Sequence, residues 1–352
     1  MEKTEILGLL PEQIAAELKP LGVPAFRAKQ IFRWLHVRRV FDFFQMTDLS
    51  KQFQQELDAR FYINPPKIAQ KLASCVDDTV KYLCTLTDGN CVETVRMVYH
   101  HGITACISTQ AGCRMGCSFC ASAPLGLVRS LTPAEMIGQI YAADAEFPEE
   151  QRIGGVVLMG IGEPLDNYEN VMQFLRVLSH PEGRNLSLRH VTLSTCGLVP
   201  RIRQLAEENL PLTLSVSLHA PDDQTRSALM PVNRSYPVAE LLDACGEYFR
   251  KTGRRVTFEY AVIAGENDSD AAAKALADRL IPVFPQQRPH VNLIPVNPVK
   301  GTGFSAGSAA AFQKKLEQYG VNATVRRTLG ADIQAACGQL RRNTIESAEP
   351  EQ

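Results

Sequence analysis

The chain has 352 residues, 45% of them apolar and 21% charged, with a formal net charge of −1, which fits one large globular domain and a smaller one. We expect a cytoplasmic protein, because no apolar run could span a membrane, no signal-peptide pattern is present and the near-neutral charge argues against broad nonspecific nucleic-acid binding. Ten cysteines favour metal binding or thiol chemistry, because disulfide scaffolds are shorter and secreted.

The first part of the chain, residues 1–65, is predicted to form a helical accessory domain. Apolar residues recur at helical spacing in PEQIAAELKPLG, FRAKQIFRWLHVRRV and DLSKQFQQELDARF, and two prolines end the section. Residues 66–99 are predicted to form a β-hairpin linker, because the strand-like runs TVKYLCTLT and CVETVRMVYH flank an Asp-Gly turn signal.

From residue 100 to residue 345, predicted strands alternate with predicted helices. The candidate strands are ITACIST, GGVVLMGI, RHVTLST, LTLSVSLH, RVTFEYAVI, HVNLIPV and NATVRRT. Helical runs such as YENVMQFLRVLS and VAELLDACGEYFRKTG lie between most of them. Because such alternation implies parallel strands with crossover helices, about six units predict an α/β fold with a complete or partly open barrel. Residues 346–352 are expected to be a disordered tail.

The run GCRMGCSFCAS places Cys113, Cys117 and Cys120 at CxxxCxxC spacing, directly after the first predicted barrel strand. Three thiolates can hold three irons of a 4Fe–4S cluster and leave one iron open for a small chelating ligand. A zinc knuckle or three unrelated core cysteines are the alternatives. The loop lacks the fourth ligand of a closed site, and barrel folds place their chemistry at the C-terminal ends of strands, so the cluster is favoured.

Polar groups recur at the same end of the strands that follow. A glycine there lets a ligand approach the backbone, and a carboxylate can accept hydrogen bonds from an ammonium group. A plain loop carboxylate and a packing histidine are the alternatives, but scattered polar residues would not be expected at successive strand ends. The residues are Gly162, Glu163, Ser194, Ser217, Leu218, His219 and Asn297.

The three-cysteine spacing resembles that of the radical S-adenosylmethionine (SAM) superfamily. In that superfamily a partial barrel holds the cluster, and the open iron binds the amino and carboxylate groups of SAM. The cluster donates an electron that breaks SAM to a 5′-deoxyadenosyl radical. The resemblance implies that Gly162 and Glu163 contact the amino group of SAM and that the other strand-end residues bind the same cofactor.

Further motifs resemble the RlmN/Cfr family of RNA adenine methyltransferases over nearly the whole chain. They are MGIGEPLDNYENV, SLHAP, RSALMPVNR, HVNLIPVNP, GADIQAACGQL and FRAKQIFRW. RlmN-type members methylate carbon 2 of an adenine in 23S rRNA, at the peptidyl-transferase centre, and many also modify the adenine 3′ of the tRNA anticodon. Cfr-type members methylate carbon 8 of that rRNA adenine. Pro164 and Pro295 favour the RlmN type.

The resemblance also implies the partners and three catalytic residues. Cys337 resembles the residue that takes a methyl group from one of two SAM molecules and carries it. Cys106 resembles the thiol that resolves the covalent RNA adduct through a transient disulfide with Cys337, and Glu93 resembles the proton acceptor. The partners implied are 23S rRNA, tRNA and an electron donor such as flavodoxin or ferredoxin, for a monomer that binds no membrane.

From the residues alone, these three assignments have simpler alternatives. Each cysteine would be a small buried residue and Glu93 an exposed strand residue, although alternation places Glu93 on a mostly apolar face with Val95 and Met97. The remaining cysteines match no motif and are interpreted as structural. They are Cys75, Cys84, Cys91, Cys196 and Cys245.

Basic residues lie close to Phe32 and Trp34 in the second predicted helix, and basic pairs flank the segment of Cys337. Charge combined with aromatic rings suits RNA phosphates and unstacked bases, whereas a solvated helix face with its core residues is the alternative. The basic residues are Arg27, Lys29, Arg33, Arg38, Arg39, Arg326, Arg327, Arg341 and Arg342.

Two other functions stay open on the sequence. A Cfr-like enzyme would give adenine methylated at carbon 8, and the product nucleoside separates the two types. A non-enzymatic RNA-binding protein with a structural metal would hold zinc, and after reduction it would not cleave SAM.

Overall fold

The computed structural model describes residues 3–296 and 303–333, and its N-terminal part is helical. The three predicted helical segments are confirmed as α1 (Pro11–Leu18), α2 (Phe26–His36) and α3 (Lys51–Arg60). The side-chain oxygen of Ser50 accepts a hydrogen bond from the Phe53 N–H and caps α3. Two short strands, β1 (Thr4–Glu5) and β2 (Phe61–Tyr62), pair in parallel and join the two ends of this region.

The predicted hairpin is confirmed, and a third strand precedes it. Strands β3 (Lys67–Ala73), β4 (Val80–Thr85), β5 (Cys91–Tyr99) and β6 (Gly102–Cys106) pair antiparallel in sequence. The sequence missed β3, because most of its side chains are exposed and an edge strand lacks the apolar alternation that marks a half-buried one. Two further missed strands, β7 (Gln110–Gly112) and β8 (Leu127–Ser130), pair with each other and enclose the three-cysteine loop.

All seven candidate strands after residue 100 are present. The first is β6, and the rest are β9 (Gly155–Leu158), β10 (Val191–Thr195), β11 (Thr213–Ser217), β12 (Val256–Val262), β13 (His290–Pro295) and β14 (Asn322–Val325). Neighbouring strands of this set are parallel. Within the described residues they belong to one ten-stranded sheet of order β14-β13-β12-β11-β10-β9-β6-β5-β4-β3. Since β3 and β14 are its edges, the barrel is partial, as predicted.

Helices connect the parallel strands and cover the outer face of the sheet. They are α4 (Pro133–Asp144), α5 (Tyr168–Ser179), α6 (Val199–Glu208), α7 (Asp223–Leu229), α8 (Val238–Thr252), α9 (Asp270–Val283) and α10 (Ala309–Gln318). Helix α4 begins with a capping box, in which Thr132 and Glu135 satisfy each other's backbone N–H groups. Among the described helices, none has both the length and the apolar character needed to cross a membrane.

Side-chain alternation along the parallel strands separates the core from the barrel interior. Val156, Leu214 and Phe258 are buried in the main apolar core. Their neighbours in sequence point the other way, and inside the barrel the Ser215 hydroxyl donates a hydrogen bond of 2.7 Å to Glu259 Oε1. The interior of the barrel is therefore polar below the C-terminal ends of the strands.

Candidate active site

A cavity of about 290 Å³ lies at the C-terminal ends of the parallel strands. It brings together the three-cysteine loop, the loop after β9 and the ends of β10 and β11, because parallel strands end at the same edge of a sheet. Glu259 and Arg326, which were not predicted for this site, also line it. The predicted site residues on its wall are Cys113, Cys117, Cys120, Gly162, Glu163, Ser194, Ser217 and His219.

The three-cysteine loop is held at its base by a close backbone contact. Gly112 has φ of 92°, and a Cβ atom there would lie 1.9 Å from the carbonyl oxygen of Gly126, so only glycine fits. The N–H of Cys113 donates to the same carbonyl at 2.8 Å. Burial raises the pKa of the Cys113 thiol to about 12, and burial also raises the pKa of Cys117. Such thiols become thiolates when a cation compensates the charge, as bound iron does.

The three thiols fit a 4Fe–4S cluster, because such a cluster binds each cysteine through a different iron. Cys113, Cys117 and Cys120 line one cavity. Within residues 3–296 and 303–333, no group of three His, Cys, Asp or Glu side chains is placed to hold a metal ion.

Glu163 is a buried carboxylate in the loop after β9, and both of its oxygens have backbone partners. Its side chain is 3% exposed, and its two oxygens accept hydrogen bonds from the N–H groups of Leu165 at 3.0 Å and Cys196 at 2.7 Å. Burial raises the pKa of Glu163, and these two donors oppose the rise. The ammonium group of SAM is the type of partner that would offset the charge of such a carboxylate.

Gly162 brings this carboxylate close to β7. Its φ is 108°, and a Cβ atom would lie 2.6 Å from the side chain of Gln110. Gln110 Oε1 accepts the N–H of Glu163 at 2.9 Å. The motif therefore needs glycine for packing as well as for access to a ligand.

His219 and Leu218 differ in their placement. The His219 ring lines the cavity, and its Nδ1 accepts the N–H of Ala261 at 2.8 Å. Burial, assisted by the charge of Arg226, lowers the pKa of His219 to about 3, so the ring is neutral with its proton on Nε2. The Leu218 side chain is buried in the main core, which leaves only its backbone for a cofactor.

Arg226 is a structural residue of the site to which the sequence motifs gave no role. Its guanidinium is fully buried and donates to the carbonyl oxygens of Cys196 at 2.6 Å, Ser217 at 3.1 Å and Leu218 at 3.2 Å. It therefore ties the ends of β10 and β11 together. The sequence contained a signal for this role, because Arg226 is the first residue of the motif RSALMPVNR. Asn233 of the same motif accepts a hydrogen bond from the Arg226 guanidinium at 2.9 Å.

Cys106 and Glu93 lie beside the cavity and do not line it. Cys106 is 5% exposed and packs in a small apolar cluster with Val95 and Met97. Met159 joins this cluster to the cavity wall, because it belongs to both. Glu93 is 2% exposed, so the exposed alternative is wrong.

The face that carries Glu93 is not purely apolar. Lys81 Nζ lies 2.9 Å from Glu93 Oε2, and the two side chains are 0% and 2% exposed. This partner was not predicted, although a single lysine within the apolar run TVKYLCTLT was a signal.

The predicted methyl carrier and one cofactor residue, Cys337 and Asn297, lie outside the described residues, as do Arg341 and Arg342. The chain that leads to Cys337 is described up to Ile333, and Leu329 packs on the cluster of Cys106. No disulfide joins any two cysteines in the described part of the chain. Of the cysteines interpreted as structural, Cys196 lines the cavity and Cys75 is exposed.

The basic N-terminal surface forms a groove beside α2. Arg38 lies 4.0 Å from the centre of the Trp34 ring, and the exposed Phe26, which was not predicted as a contact residue, lines the groove with Lys29. Phe32 is fully buried, so it belongs to the core. Arg39 makes ion pairs with Glu149 and Asp144.

Comparison with known proteins assigns the family. The model of the radical SAM superfamily matches residues 107–276, and that of the ribosomal RNA large subunit methyltransferase N-terminal domain matches residues 4–63. The chain is 49% identical over 350 residues to the "Probable dual-specificity RNA methyltransferase RlmN" of Alkaliphilus oremlandii, covering 99% of this chain and 100% of the relative. This chain belongs to the RlmN family.

Other RlmN relatives and a solved structure agree. A protein of the same name from Lachnoclostridium phytofermentans is 47% identical, over 97% of this chain and 95% of that protein. The crystal structure of a radical SAM methyltransferase from Sphaerobacter thermophilus is 42% identical and superposes with a TM-score of 0.89, covering 96% of this chain and 98% of that one. The predicted family, fold class and enzyme class are confirmed, and the cofactors of an RlmN-family enzyme are a 4Fe–4S cluster and SAM.

Proposed function

We propose that this protein methylates carbon 2 of adenine in RNA, in 23S rRNA and in tRNA, using two SAM molecules per turnover. The observation that carries the proposal is the match to RlmN proteins along 99% of the chain, joined to a cavity lined by the three cysteines and Glu163. The names of the relatives and the two motif prolines favour carbon 2 over the carbon 8 product of a Cfr-like enzyme.

The chemistry of the substrate explains why a radical enzyme is needed. Adenine carbon 2 lies between two ring nitrogens and is electron-poor, so it does not attack a methyl group as a nucleophile, whereas a carbon radical adds there. The bound cluster supplies the electron that cleaves SAM to a 5′-deoxyadenosyl radical. The protein holds and orients these groups.

The residues of the cavity are assigned to cofactor binding. Cys113, Cys117 and Cys120 hold the cluster, and Glu163 with Gly162 accepts the SAM amino group. This is supported by the burial of Glu163 and by its two N–H donors, which fix the carboxylate. The remaining SAM contacts are assigned to Ser194, Ser217 and His219 of the cavity, to the backbone of Leu218, and to Asn297, which lies outside the described residues.

Three residues outside the cofactor set are assigned to the reaction on RNA. Cys337 takes a methyl group from one SAM, the 5′-deoxyadenosyl radical from a second SAM would remove one hydrogen atom from that methyl group, and the resulting carbon radical adds to adenine carbon 2. One electron leaves the adduct, as the bound cluster would accept it, and Glu93 removes the proton from carbon 2. The Cys106 thiolate then attacks the sulfur of Cys337, the joining carbon–sulfur bond breaks with its electron pair on the methylene carbon, and this carbon takes up a proton from water, which leaves the methylated adenine and a transient Cys106–Cys337 disulfide. The contact of Leu329 with the Cys106 cluster supports this arrangement, because Leu329 precedes Cys337 by eight residues.

The partners and the organisation of the chain complete the proposal. The helical domain (residues 1–65) binds RNA through the groove beside α2, and residues 66–99 connect it to the barrel (residues 100–345). The predicted tail, residues 346–352, lies outside the described residues. The enzyme works as a cytoplasmic monomer without a membrane and receives electrons from a protein such as flavodoxin or ferredoxin. The exposed lysine and arginines of the groove support RNA contact.

One experiment tests the reaction and its alternatives. Reduced, cluster-loaded protein is mixed with SAM and with 23S rRNA or tRNA, and the nucleosides are identified by mass spectrometry. We expect 2-methyladenosine, and none from Cys117→Ala, which lacks a cluster ligand. A product methylated at carbon 8 would indicate a Cfr-like enzyme. Bound zinc without SAM cleavage would indicate a non-enzymatic RNA-binding protein.

A further inference from the structure

Lys81 and Glu93 form an ion pair that is buried on both sides. The ammonium nitrogen of Lys81 lies 2.9 Å from Glu93 Oε2, and neither side chain is more than 2% exposed. The free-energy cost of removing two charges from water often exceeds the gain from their mutual attraction. An apolar pair of similar volume is commonly as stable. Fold stability is therefore a weak explanation for a lysine at this position.

The register of the sheet puts this pair on the face that carries Cys106. Lys81 of β4 lies opposite Val95 of β5, and Val95 lies opposite Cys106 of β6. Directly opposed residues point to the same side of a sheet, so Lys81 and Cys106 lie in one row, two strands or about 10 Å apart. Glu93 is two residues from Val95 and shares that side.

The backbone of Glu93 is fixed independently of its carboxylate. The hydroxyl of Ser108 donates to the carbonyl oxygen of Glu93 at 2.7 Å and accepts the N–H of Ile161 at 3.0 Å. Ser108 therefore links β5 to the loop that carries Gly162 and Glu163. Lys81 contacts the other end of Glu93, at the carboxylate oxygen Oε2. The carboxylate is the group that would take the proton.

We propose that Lys81 is a positioning residue that holds the Glu93 carboxylate oriented for proton removal from adenine carbon 2. The inference rests on the proposed function, in which Glu93 is the proton acceptor. A carboxylate acts as a base only when its oxygen is directed at the proton. The ion pair at 2.9 Å fixes Glu93 Oε2, and the Lys81 ammonium compensates the charge of a carboxylate that is removed from water. In the step, the C–H bond at carbon 2 breaks, its electron pair stays on the ring, and an O–H bond forms on Glu93.

The test separates the steps that need a base from those that do not. Cluster-loaded Lys81→Met is compared with Lys81→Arg and with Lys71→Met as the matched control. Lys71 lies on the neighbouring strand β3 and pairs with Glu146 at 2.8 Å, but these side chains are 41% and 32% exposed. Three quantities are measured: methylation of Cys337 from labelled SAM, the covalent protein–RNA adduct on denaturing gels, and release of 2-methyladenosine.

We expect Lys81→Met to methylate Cys337 within two-fold of the wild type and to accumulate the adduct. Release should slow by about 10²-fold, the lower end of what a general base contributes. RNA deuterated at carbon 2 should show a larger isotope effect on release in this variant than in the wild type, because proton removal becomes rate-limiting. Lys81→Arg restores a cation and should release faster than Lys81→Met, and Lys71→Met should match the wild type.

The outcomes distinguish failure of this inference from failure of the proposed function. Normal release by Lys81→Met, while Glu93→Gln stalls as the adduct, would overturn the role of Lys81 alone. Normal release by Glu93→Gln would overturn the base assignment as well. If Lys81→Met does not fold, Lys81→Met/Glu93→Gln removes both charges together. Since Lys81 acts through Glu93, this double variant should release no more slowly than Glu93→Gln, and an additive loss contradicts the inference.

Discussion

The carboxylate of Glu163 accepts the backbone N–H of Cys196 at 2.7 Å, and this bond ties the loop after β9 to the end of β10. It fixes an acceptor on the cavity wall before any ligand is present. A second N–H donor, from Leu165 at 3.0 Å, leaves the side chain no alternative orientation without breaking one of the two bonds.

We predict that Glu163→Gln weakens SAM binding while the fold persists. The substitution keeps the size of the side chain, removes its charge and replaces one of the two acceptor oxygens by an NH2 group, so one of the two N–H donors loses its partner. Because a hydrogen bond to a charged group contributes about 1.5–3 kcal/mol, the dissociation constant should rise about ten-fold or more. Equilibrium dialysis with cluster-loaded protein measures it. The control is Glu169→Gln on α5, whose side chain is 82% exposed. Equal affinities for wild type and Glu163→Gln would refute the assignment.

Removal of Cys106 should trap the enzyme on its RNA. Without a second thiol the sulfur of Cys337 cannot be captured, so Cys106→Ala should accumulate an adduct that survives denaturing electrophoresis and reducing agent. Nuclease should trim it to a short nucleotide remnant on Cys337. The double variant that also lacks Cys337 should show no adduct, and Cys84→Ala, a buried cysteine on β4, should behave as the wild type. Normal turnover by Cys106→Ala would mean that another group resolves the intermediate.

Asp332 anchors the chain five residues before Cys337. Its carboxylate accepts hydrogen bonds from the Ser74 hydroxyl at 2.6 Å and the Cys75 N–H at 2.8 Å, in the turn between β3 and β4. The Ser74 hydrogen bond, with others from Cys75, lowers the pKa of Asp332 to about 2. We predict that Asp332→Ala slows methylation of Cys337 several-fold while cluster content and SAM affinity are unchanged. Transfer of label from SAM measures the rate of Cys337 methylation, and Asp278→Ala on α9 is the control. An unchanged rate in Asp332→Ala would show that Asp332 does not contribute to this methylation.

The buried His36 predicts a loss of stability in acid. Burial, with a contribution from His180, lowers the pKa of His36 from 6.5 to about 3. Between these values the unfolded chain binds one more proton than the folded chain, so stability is full above pH 6.5 and falls as the pH drops towards 3, by about 1.4 kcal/mol per pH unit. His36→Gln should make the pH dependence of urea unfolding shallower by this amount, whereas the exposed His190→Gln should not. Identical slopes for His36→Gln and the wild type would contradict the prediction.

The groove beside α2 should contribute to RNA binding through charge. Lys29 and Arg38 are exposed there, and removing one basic side chain from a phosphate should reduce the slope of log affinity against log salt by about 1. Lys29→Ala/Arg38→Ala should therefore bind tRNA more weakly and with a flatter salt dependence. Lys274→Ala, which breaks the surface pair with Asp278 on α9, provides the control. Unchanged affinity at low salt would favour a solvated helix face.

Local periodicity was enough to predict most of the secondary structure. The three N-terminal helices, the hairpin and all seven later strands were predicted, because apolar spacing and turn residues are properties of adjacent residues. Weakly patterned elements were missed, such as the exposed edge strand β3 and the short strands β7 and β8. The motifs also predicted eight of the cavity residues, because the C-terminal ends of parallel strands lie together at one edge of the sheet.

The sequence by itself determined the family, the cysteine loop and the strand-end residues, since each is a spacing within a short stretch. Pairings between distant stretches were decided only by the tertiary structure. The register of β4 and β5 brings Lys81 to Glu93, and the packing of α7 brings Arg226 to three strand-end carbonyls. Leu218, directly after β11, packs into the core, away from the cavity. The physical reason is that burial and partner choice depend on which elements pack together, and short-range spacing does not encode that.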